Sequence, residues 1–195
     1  VNHSHSQDYL TKFAFQKFVE DIEESIKIFK NKLGYNPIYF SYPFGEYNLE
    51  QKNYISNNFE FAFGQHSGVI DLNKDRYELP RFPINEKYGE IKRFKEVISY
   101  LPLQYKIVKP ENKFMNDGEN PPKMTIEFFE DQKNLENINC FSNEGSKWRK
   151  TKIVLIDNIL NINFSEKFIE RRGRINCSLK DENGWRFSGF QFVQN

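Results

Sequence analysis

Two of the three histidines lie within the first five residues, in the stretch VNHSHSQDYL. His3 and His5 are followed by Gln7, so three side chains with nitrogen or oxygen ligand atoms occur at every second position. Imidazole suits zinc and related divalent metals, whereas the amide oxygen of glutamine is a poorer ligand. A metal held here could lower the pKa of a water molecule to about 7 and polarise a carbonyl group. The stretch predicts a metal site, the remains of one, or solvated histidines at a chain end.

Two further stretches bring reactive side chains to the ends of predicted strands. The motif YPFGEYN, which starts at Tyr42, ends a short apolar run, and its Gly45 allows close approach of the backbone. An alternative interpretation is that this motif is only a turn from a strand to a helix. His66 follows a second apolar run, and α/β sites gather at the ends of strands. His66 is therefore predicted to line a cleft or donate a proton, with a structural role as the alternative.

The first half of the chain alternates helical and extended patterns. Apolar residues recur at steps of three and four from Tyr9 to Leu33, which predicts a long helix that ends at Gly34. Short strands are predicted at Ile38–Pro43 and Phe59–Phe63. A capping box of Asn48 and Gln51 starts a helix between them that runs to about Asn58. A third helix is predicted at Gly89–Leu101, and this rhythm is typical of an α/β domain with parallel strands.

The pattern changes after residue 109. Residues 110–122 are rich in Pro, Asn and Gly and are interpreted as a linker. Residues 123–195 contain short β-type runs separated by turn residues, which predicts an antiparallel β-sandwich-like domain. The predicted domains are therefore 1–109, α/β, and 123–195, all-β.

A short internal repeat, which we call the echo, occurs in the predicted β domain. The tripeptide Ile-Asn-Cys occurs at 138–140 and 175–177, each time followed by a Gly turn and a Trp-Arg pair. We expect two related hairpins. The aromatic residues of the last strand change parity, which predicts a bulge at Ser188-Gly189.

Trp148 and Trp185, the tryptophans of the two echoes, are either sugar-stacking platforms or core residues. Basic residues at 147–152 and 171–174 could contact anionic glycans, or they could lie on solvated strand faces.

Composition narrows the class of partner. The 28 Lys and Arg residues nearly balance the 27 Asp and Glu residues, which argues against nucleic acid bound through overall charge. No apolar run approaches the length of about 18 residues that a membrane span needs. Cys140 and Cys177 could pair or stay reduced, and they do not fix the compartment.

Three segments together resemble the polysaccharide deacetylase family, carbohydrate esterase family four. They are NHSHSQDYLT before a helix, YFSYPFGEYN after it, and FAFGQHSGVI with ELPRFPIN, in the family's order. The resemblance covers roughly residues 1–105. It implies a partial deacetylase-type β/α barrel and hydrolysis of N-acetyl groups on a bacterial glycan with a divalent metal, expected to be zinc.

The resemblance also implies roles for individual residues. Phe44 matches the family position whose backbone N–H stabilises the oxyanion, and Tyr42, Pro43 and Gly45 shape the cleft. Arg81 resembles the family's late arginine, which orients a catalytic residue, although a surface ion pair is an equal alternative.

The chain departs from the family pattern at two places. His3 matches the first histidine of the His-Ser/Thr-x-x-His motif, but Gln7 stands where the second histidine belongs. The site is thus weakened, rearranged around His5, or lost. The family's Asp-Asp pair, a metal ligand and the general base, does not occur in the sequence.

The chain is therefore interpreted as the C-terminal portion of such an enzyme, inactive by itself. Its incomplete parallel sheet predicts self-association. The alternative is a non-catalytic carbohydrate-binding or scaffolding protein that has lost its metal. A bacterial cell envelope and the cytoplasm both remain open as locations.

Overall fold

The computed structural model describes residues 1–71, 73–116 and 118–194. The chain divides into two compact units. The first unit comprises Val1–Gln65 and Leu72–Arg81, and the second comprises His66–Asp71 and Phe82–Asn195. No helix of the described residues is long and apolar enough to cross a membrane.

The first unit is a small parallel sheet with helices on one face. It consists of α1 Phe15–Leu33, β1 Tyr39–Ser41, α2 Leu49–Asn58 and β2 Phe61–Phe63. The two strands pair in parallel, Phe40 opposite Ala62, and both of these residues are buried. They share one core with both helices, whose buried members are Leu10, Phe18, Ile22, Phe40, Tyr42, Tyr47, Ile55, Phe59 and Ala62. No helix of the unit's described residues packs on the opposite face of the sheet, where Tyr39 is 38% exposed.

Local signals predicted the ends of these helices well. Gly34 ends α1 with a φ of 82°, in the left-handed region that glycine adopts without strain. Asn48 and Gln51 form both bonds of the predicted capping box at the start of α2. The start of α1 was predicted less well, because Phe13 and Ala14 are extended and separate the helix from a short 3-10 turn, Leu10–Lys12.

The second unit consists mostly of strands. One sheet has the order β4-β6-β10-β9 and the other has the order β3-β12-β11-β7-β8, with β5 also pairing with β12. The elements of the unit are α3 Ile91–Ser99, β3 Leu101–Pro102, β4 Ile107–Lys109, β5 Phe114–Met115, β6 Met124–Glu127, β7 Asn139–Ser142, β8 Arg149–Lys150, β9 Lys152–Ile156, β10 Ile159–Asn163, β11 Arg172–Asp181 and β12 Gly184–Gln194. Buried residues of both sheets, such as Ile126 and Ile175, belong to one core.

The fold is thus mixed α/β with several sheets, as predicted in outline, but two details differ. The described residues close no barrel. The predicted bulge at Ser188-Gly189 is wrong, because β11 and β12 pair without interruption from Arg172–Val193 to Asp181–Gly184. Both faces of β12 are covered instead: Phe190 and Phe192 face the core, while Phe187 packs against Phe82 and Tyr100.

The boundaries of the compact units differ from those predicted for the domains. Residues 82–109 belong to the second unit, and the predicted linker at 110–122 contains β5. Met115 in this strand is buried in the core of the second unit. A segment rich in turn residues can therefore still contribute a paired strand, which composition alone does not show.

The two predicted hairpins are present. Strands β7 and β8 form one, and β11 and β12 form the other. Cys140 and Cys177, which hold equivalent positions in the two echoes, face each other across β7 and β11 and form a disulfide.

Candidate functional site

The first residues of the chain extend the parallel sheet. The backbone N–H of Asn2 donates to Tyr39 O at 2.7 Å, and the N–H of Ser41 donates to Asn2 O at 2.9 Å. The side-chain amide of Asn2 also donates to the hydroxyl of Ser25 on α1 at 2.8 Å. These bonds form a parallel bridge between Asn2 and Phe40, and they place His3 beside the end of β1. The carboxyl edge of parallel strands is where α/β proteins bind ligands.

His3 is held in one orientation by the neighbouring strand. Its Nδ1 lies 2.6 Å from the carbonyl oxygen of Ser41. Because a carbonyl can only accept, Nδ1 carries the proton in this bond and Nε2 keeps its lone pair. Histidines that bind metals are oriented in this way by a second group. His3 is therefore suited to supply one ligand nitrogen.

The other two predicted ligands have different surroundings. The backbone N–H groups of His5 and Ser6 donate to the carboxylate of Asp21 on α1, at 3.1 and 3.0 Å. The imidazole of His5 lines a cavity of about 260 Å³ together with Ser25, Ile28 and Phe29. His5 thus faces α1 residues, whereas His3 bonds to β1.

Gln7 stands in a tight turn. Its φ is 55°, and its N–H donates to the hydroxyl of Ser4 at 3.0 Å. A residue with positive φ marks a strained turn, and such turns often accompany functional sites. The Gln7 side chain is exposed.

The ligand atoms present do not complete a metal site. Across residues 1–71, 73–116 and 118–194, no group of three or more His, Cys, Asp or Glu side chains could hold a metal ion. Zinc hydrolases usually use three protein ligands. The described residues therefore do not fit a zinc site by themselves, and the predicted set of His3, His5 and Gln7 stays a prediction.

The turn after β1 contacts the histidine loop, which comprises residues 3–9. Phe44 and Gly45 both have positive φ, of 58° and 69°. The N–H of Gly45 donates to Tyr42 O, and the N–H of Glu46 donates to Pro43 O, which closes the turn. The ring of Phe44 stacks on Tyr9, with centroids 4.2 Å apart. Two of the three segments that carry the resemblance therefore meet at one edge of one sheet.

A buried polar network, which the sequence interpretation missed, supports this turn. Lys52 on α2 binds Asp75 at 2.7 Å and Glu78 at 3.4 Å, and Tyr47 donates to Glu78 at 2.8 Å. Tyr42, predicted to shape a cleft, is fully buried against Tyr47, and its hydroxyl has no hydrogen-bond partner among the described residues. No short-range pattern joins residues so far apart along the chain, so the sequence offered no signal for the network.

The remaining predicted residues lie elsewhere. Arg81 is exposed and makes no ion pair with any described residue, although an ion pair was the alternative interpretation. His66 is half-buried and belongs to the second unit. Trp148 and Trp185 are 52% and 47% exposed, so neither is a core residue.

Comparison with known proteins supports the resemblance for the segment that holds these motifs. Residues 1–61 match the model of a family described as polysaccharide deacetylase. The match includes the histidine loop, α1, β1, the turn at Phe44 and α2. No curated protein and no solved structure matches the chain.

Proposed function

We propose, from the match of residues 1–61 to the polysaccharide deacetylase family, that the chain is part of a metal-dependent enzyme that hydrolyses N-acetyl groups on a bacterial glycan. One observation carries the proposal. His3 bonds to Ser41, and Tyr9 stacks on Phe44, so the histidine loop and the aromatic-proline turn share one sheet edge. An acetamide needs a polarised carbonyl and an activated water, and such an edge suits both.

The proposal gives each motif a role. In this proposal the backbone N–H of Phe44, which lies in the strained turn, is the donor that stabilises the developing oxyanion. Pro43 and Gly45 fix the path of that turn, and His3 offers Nε2 as a ligand. A divalent metal would supply the Lewis acid, but the described residues do not complete its ligand set. We assign no general base, and we expect the 195-residue chain alone to show little or no catalysis.

The proposal includes the finer architecture. Both helices of the first unit pack on one face of its sheet, as in a partial β/α barrel. The second unit has two sheets with a shared core, which suits an accessory β-sandwich. The disulfide favours an oxidising compartment such as the cell envelope.

Zinc binding by designed variants tests the metal part. Gln7→His restores a histidine four positions after His3, and we expect at least tenfold tighter zinc binding, measured by calorimetry and by elemental analysis. Adding His3→Ala should abolish that gain. Asp8→His is the matched control, because it adds an exposed histidine at the wrong spacing. The hydrolase proposal loses its basis if Gln7→His takes up no zinc, or no more than Asp8→His.

A second function is favoured by the incomplete ligand set. With Gln7 in place of histidine and no metal cluster among the described residues, the chain would bind a glycan without cleaving it. Two results together would favour this binding protein over the enzyme. Chitin oligomers would bind equally well with and without a chelator, and the Gln7→His variant with added zinc would release no acetate.

A further inference from the structure

One face of the six-stranded sheet of the second unit packs in the core of that unit. Along β11, Ile175, Cys177 and Leu179 point into the core and are fully buried. Side chains of a strand alternate between the faces, so Arg172, Arg174 and the residues that follow at every second position lie on the opposite face. The opposite face is therefore basic near the start of β11.

Arg174 is held in place without a direct ion pair to any described residue. Its backbone N–H donates to the side-chain oxygen of Asn143, and its side chain is half-buried. Its Nε is buried and has no hydrogen-bond partner, and its guanidinium forms no ion pair with any described residue. Burial, followed by the charge of Arg172, lowers the pKa of Arg174, whereas Glu170 and Tyr88 act in the opposite sense. A buried donor without a partner is costly, so an anion here would be stabilised.

The neighbours of Arg174 suit a sugar that carries the anion. On β12 its partner is Gln191, which is buried. On the β7 side of Arg174 lies Asn143, which directly follows that strand. Its neighbour Ser142, the last residue of β7, pairs with Arg149 of β8. Trp148 precedes Arg149 and is 52% exposed, so a flat aromatic side chain stands at the same end of the hairpin. Trp185 pairs with Lys180, which lies six residues after Arg174 along β11 and therefore about 20 Å from it. The two tryptophans therefore cannot contact one sugar ring.

We propose that this face, defined by Arg172, Arg174 and Trp148, binds an acidic saccharide through its carboxylate or phosphate. The proposal deepens the proposed function, because it names the glycan class that the second unit would recognise. Arg174 donates to the anion in a desolvated position, Arg172 adds charge, and Trp148 offers a stacking surface. Glu170, which accepts from Asn143 at 3.3 Å, limits the charge of the site, so a single anionic group fits better than several.

Calorimetric binding by the full chain tests this proposal. The probes are an oligogalacturonate, a glycerol-phosphate oligomer and a neutral chitin oligomer, each at 50 mM salt. We expect one acidic probe to bind at least tenfold more tightly than the neutral one. Arg174→Gln should weaken that binding about tenfold or more, which is the loss of one charge-assisted hydrogen bond. Binding of the carboxylate or of the phosphate probe identifies the source of the anion.

Two controls keep the result interpretable. Lys133→Gln removes the same charge from an exposed position and should leave binding unchanged. Thermal unfolding shows whether Arg174→Gln folds, and Trp148→Ala is a second variant that should weaken binding without changing charge. Equal binding of all three probes, no binding of an acidic probe, or equal losses for Arg174→Gln and Lys133→Gln would overturn the proposal. None of these readouts requires deacetylase activity or zinc.

Discussion

At the scale of single residues, the turn after β1 concentrates backbone strain beside the histidine loop. Phe44 is not a glycine, yet it has a φ of 58°. The left-handed conformation costs roughly 1–2 kcal/mol for such a residue. Stacking on Tyr9 offsets part of this cost. A strained residue at the point where two motifs meet supports a functional interpretation of this turn.

Position 45, directly after Phe44, accepts only glycine. A Cβ added there would lie 2.4 Å from the backbone nitrogen of Gln65. We expect Gly45→Ala to lower the free energy of unfolding by about 2–4 kcal/mol, from the positive φ and the overlap together. Gly34→Ala is the matched control, because Gly34 has a φ of 82° but no atom within 4 Å of the added Cβ, and it should cost about 1 kcal/mol. Urea unfolding followed by circular dichroism measures both, and equal losses would contradict the predicted overlap.

Residue types and spacing identified the histidine loop but not its contacts. His3 and His5 are chemically equivalent in the sequence, yet His3 bonds to β1 and His5 faces α1. This difference arises because Asn2 pairs with β1 and Asp21 binds the backbone of the loop. Both contacts join residues that are distant in the chain, so spacing alone could not distinguish the two histidines.

At the scale of elements, capping signals and hairpin signals were reliable because they act over a few residues. The Asn48 capping box and the Gly34 cap needed no tertiary information. The predicted bulge in β12 is wrong because both faces of this strand are covered. Phe187, on the face away from the core, is covered by Phe82 and Tyr100, which the strand pattern does not reveal.

The buried network around α2 predicts alkaline sensitivity. Burial, together with the Glu78 carboxylate, raises the pKa of Tyr47 well above its ordinary value. Burial alone would lower the pKa of Lys52, but Glu78 and Asp75 outweigh it and raise this pKa as well. Both groups hold their protons more tightly in the folded chain than in the unfolded chain. Their stabilising contribution is therefore complete below about pH 10 and is lost as the pH rises above it.

Urea midpoints between pH 8 and 11.5, followed by circular dichroism at 222 nm, measure this loss. Tyr47→Phe should cost about 1 kcal/mol at pH 8, where its bond to Glu78 is lost. The variant should also reduce the slope above pH 10 by up to about 1.4 kcal/mol per pH unit, the value for one proton. An unchanged slope would show that the Tyr47 hydroxyl does not titrate with unfolding.

The disulfide joins the two echoed hairpins at equivalent positions. Both cysteines are fully buried, and they are 37 positions apart in the sequence. Replacing both, as Cys140→Ala with Cys177→Ala, should lower the free energy of unfolding by about 3–4 kcal/mol, mainly by freeing the unfolded chain. Tryptophan fluorescence during urea unfolding reports this loss, because both tryptophans belong to the second unit. A double variant as stable as the parent would mean that the bridge is not formed in solution.

At the scale of the whole molecule, the sequence predicted two kinds of architecture, and the two compact units divide the chain at residues other than the predicted domain boundaries. Alternating patterns predicted the α/β part, and short runs with turns predicted the strands that follow. The third predicted helix forms at Ile91–Ser99, yet it belongs to the unit that is otherwise mostly β. Residues 66–71 also belong to that unit, and Gly68 bridges to Ser188. Such long-range pairing is set by tertiary contacts, which composition shifts along the chain do not record.

The uncovered face of the parallel sheet predicts self-association of the whole chain. Tyr39 on β1 alternates with the buried Phe40 and is 38% exposed on the face that no helix of the first unit covers. Apolar sheet faces of this kind are normally covered. We expect light scattering to show a mass that rises with protein concentration, and Tyr39→Glu to shift the chain towards the monomer. Tyr35→Glu is the control, since Tyr35 is 60% exposed but lies outside the sheet. A parent chain that stays monomeric at high concentration, or two variants that behave alike, would show that this sheet face does not drive association.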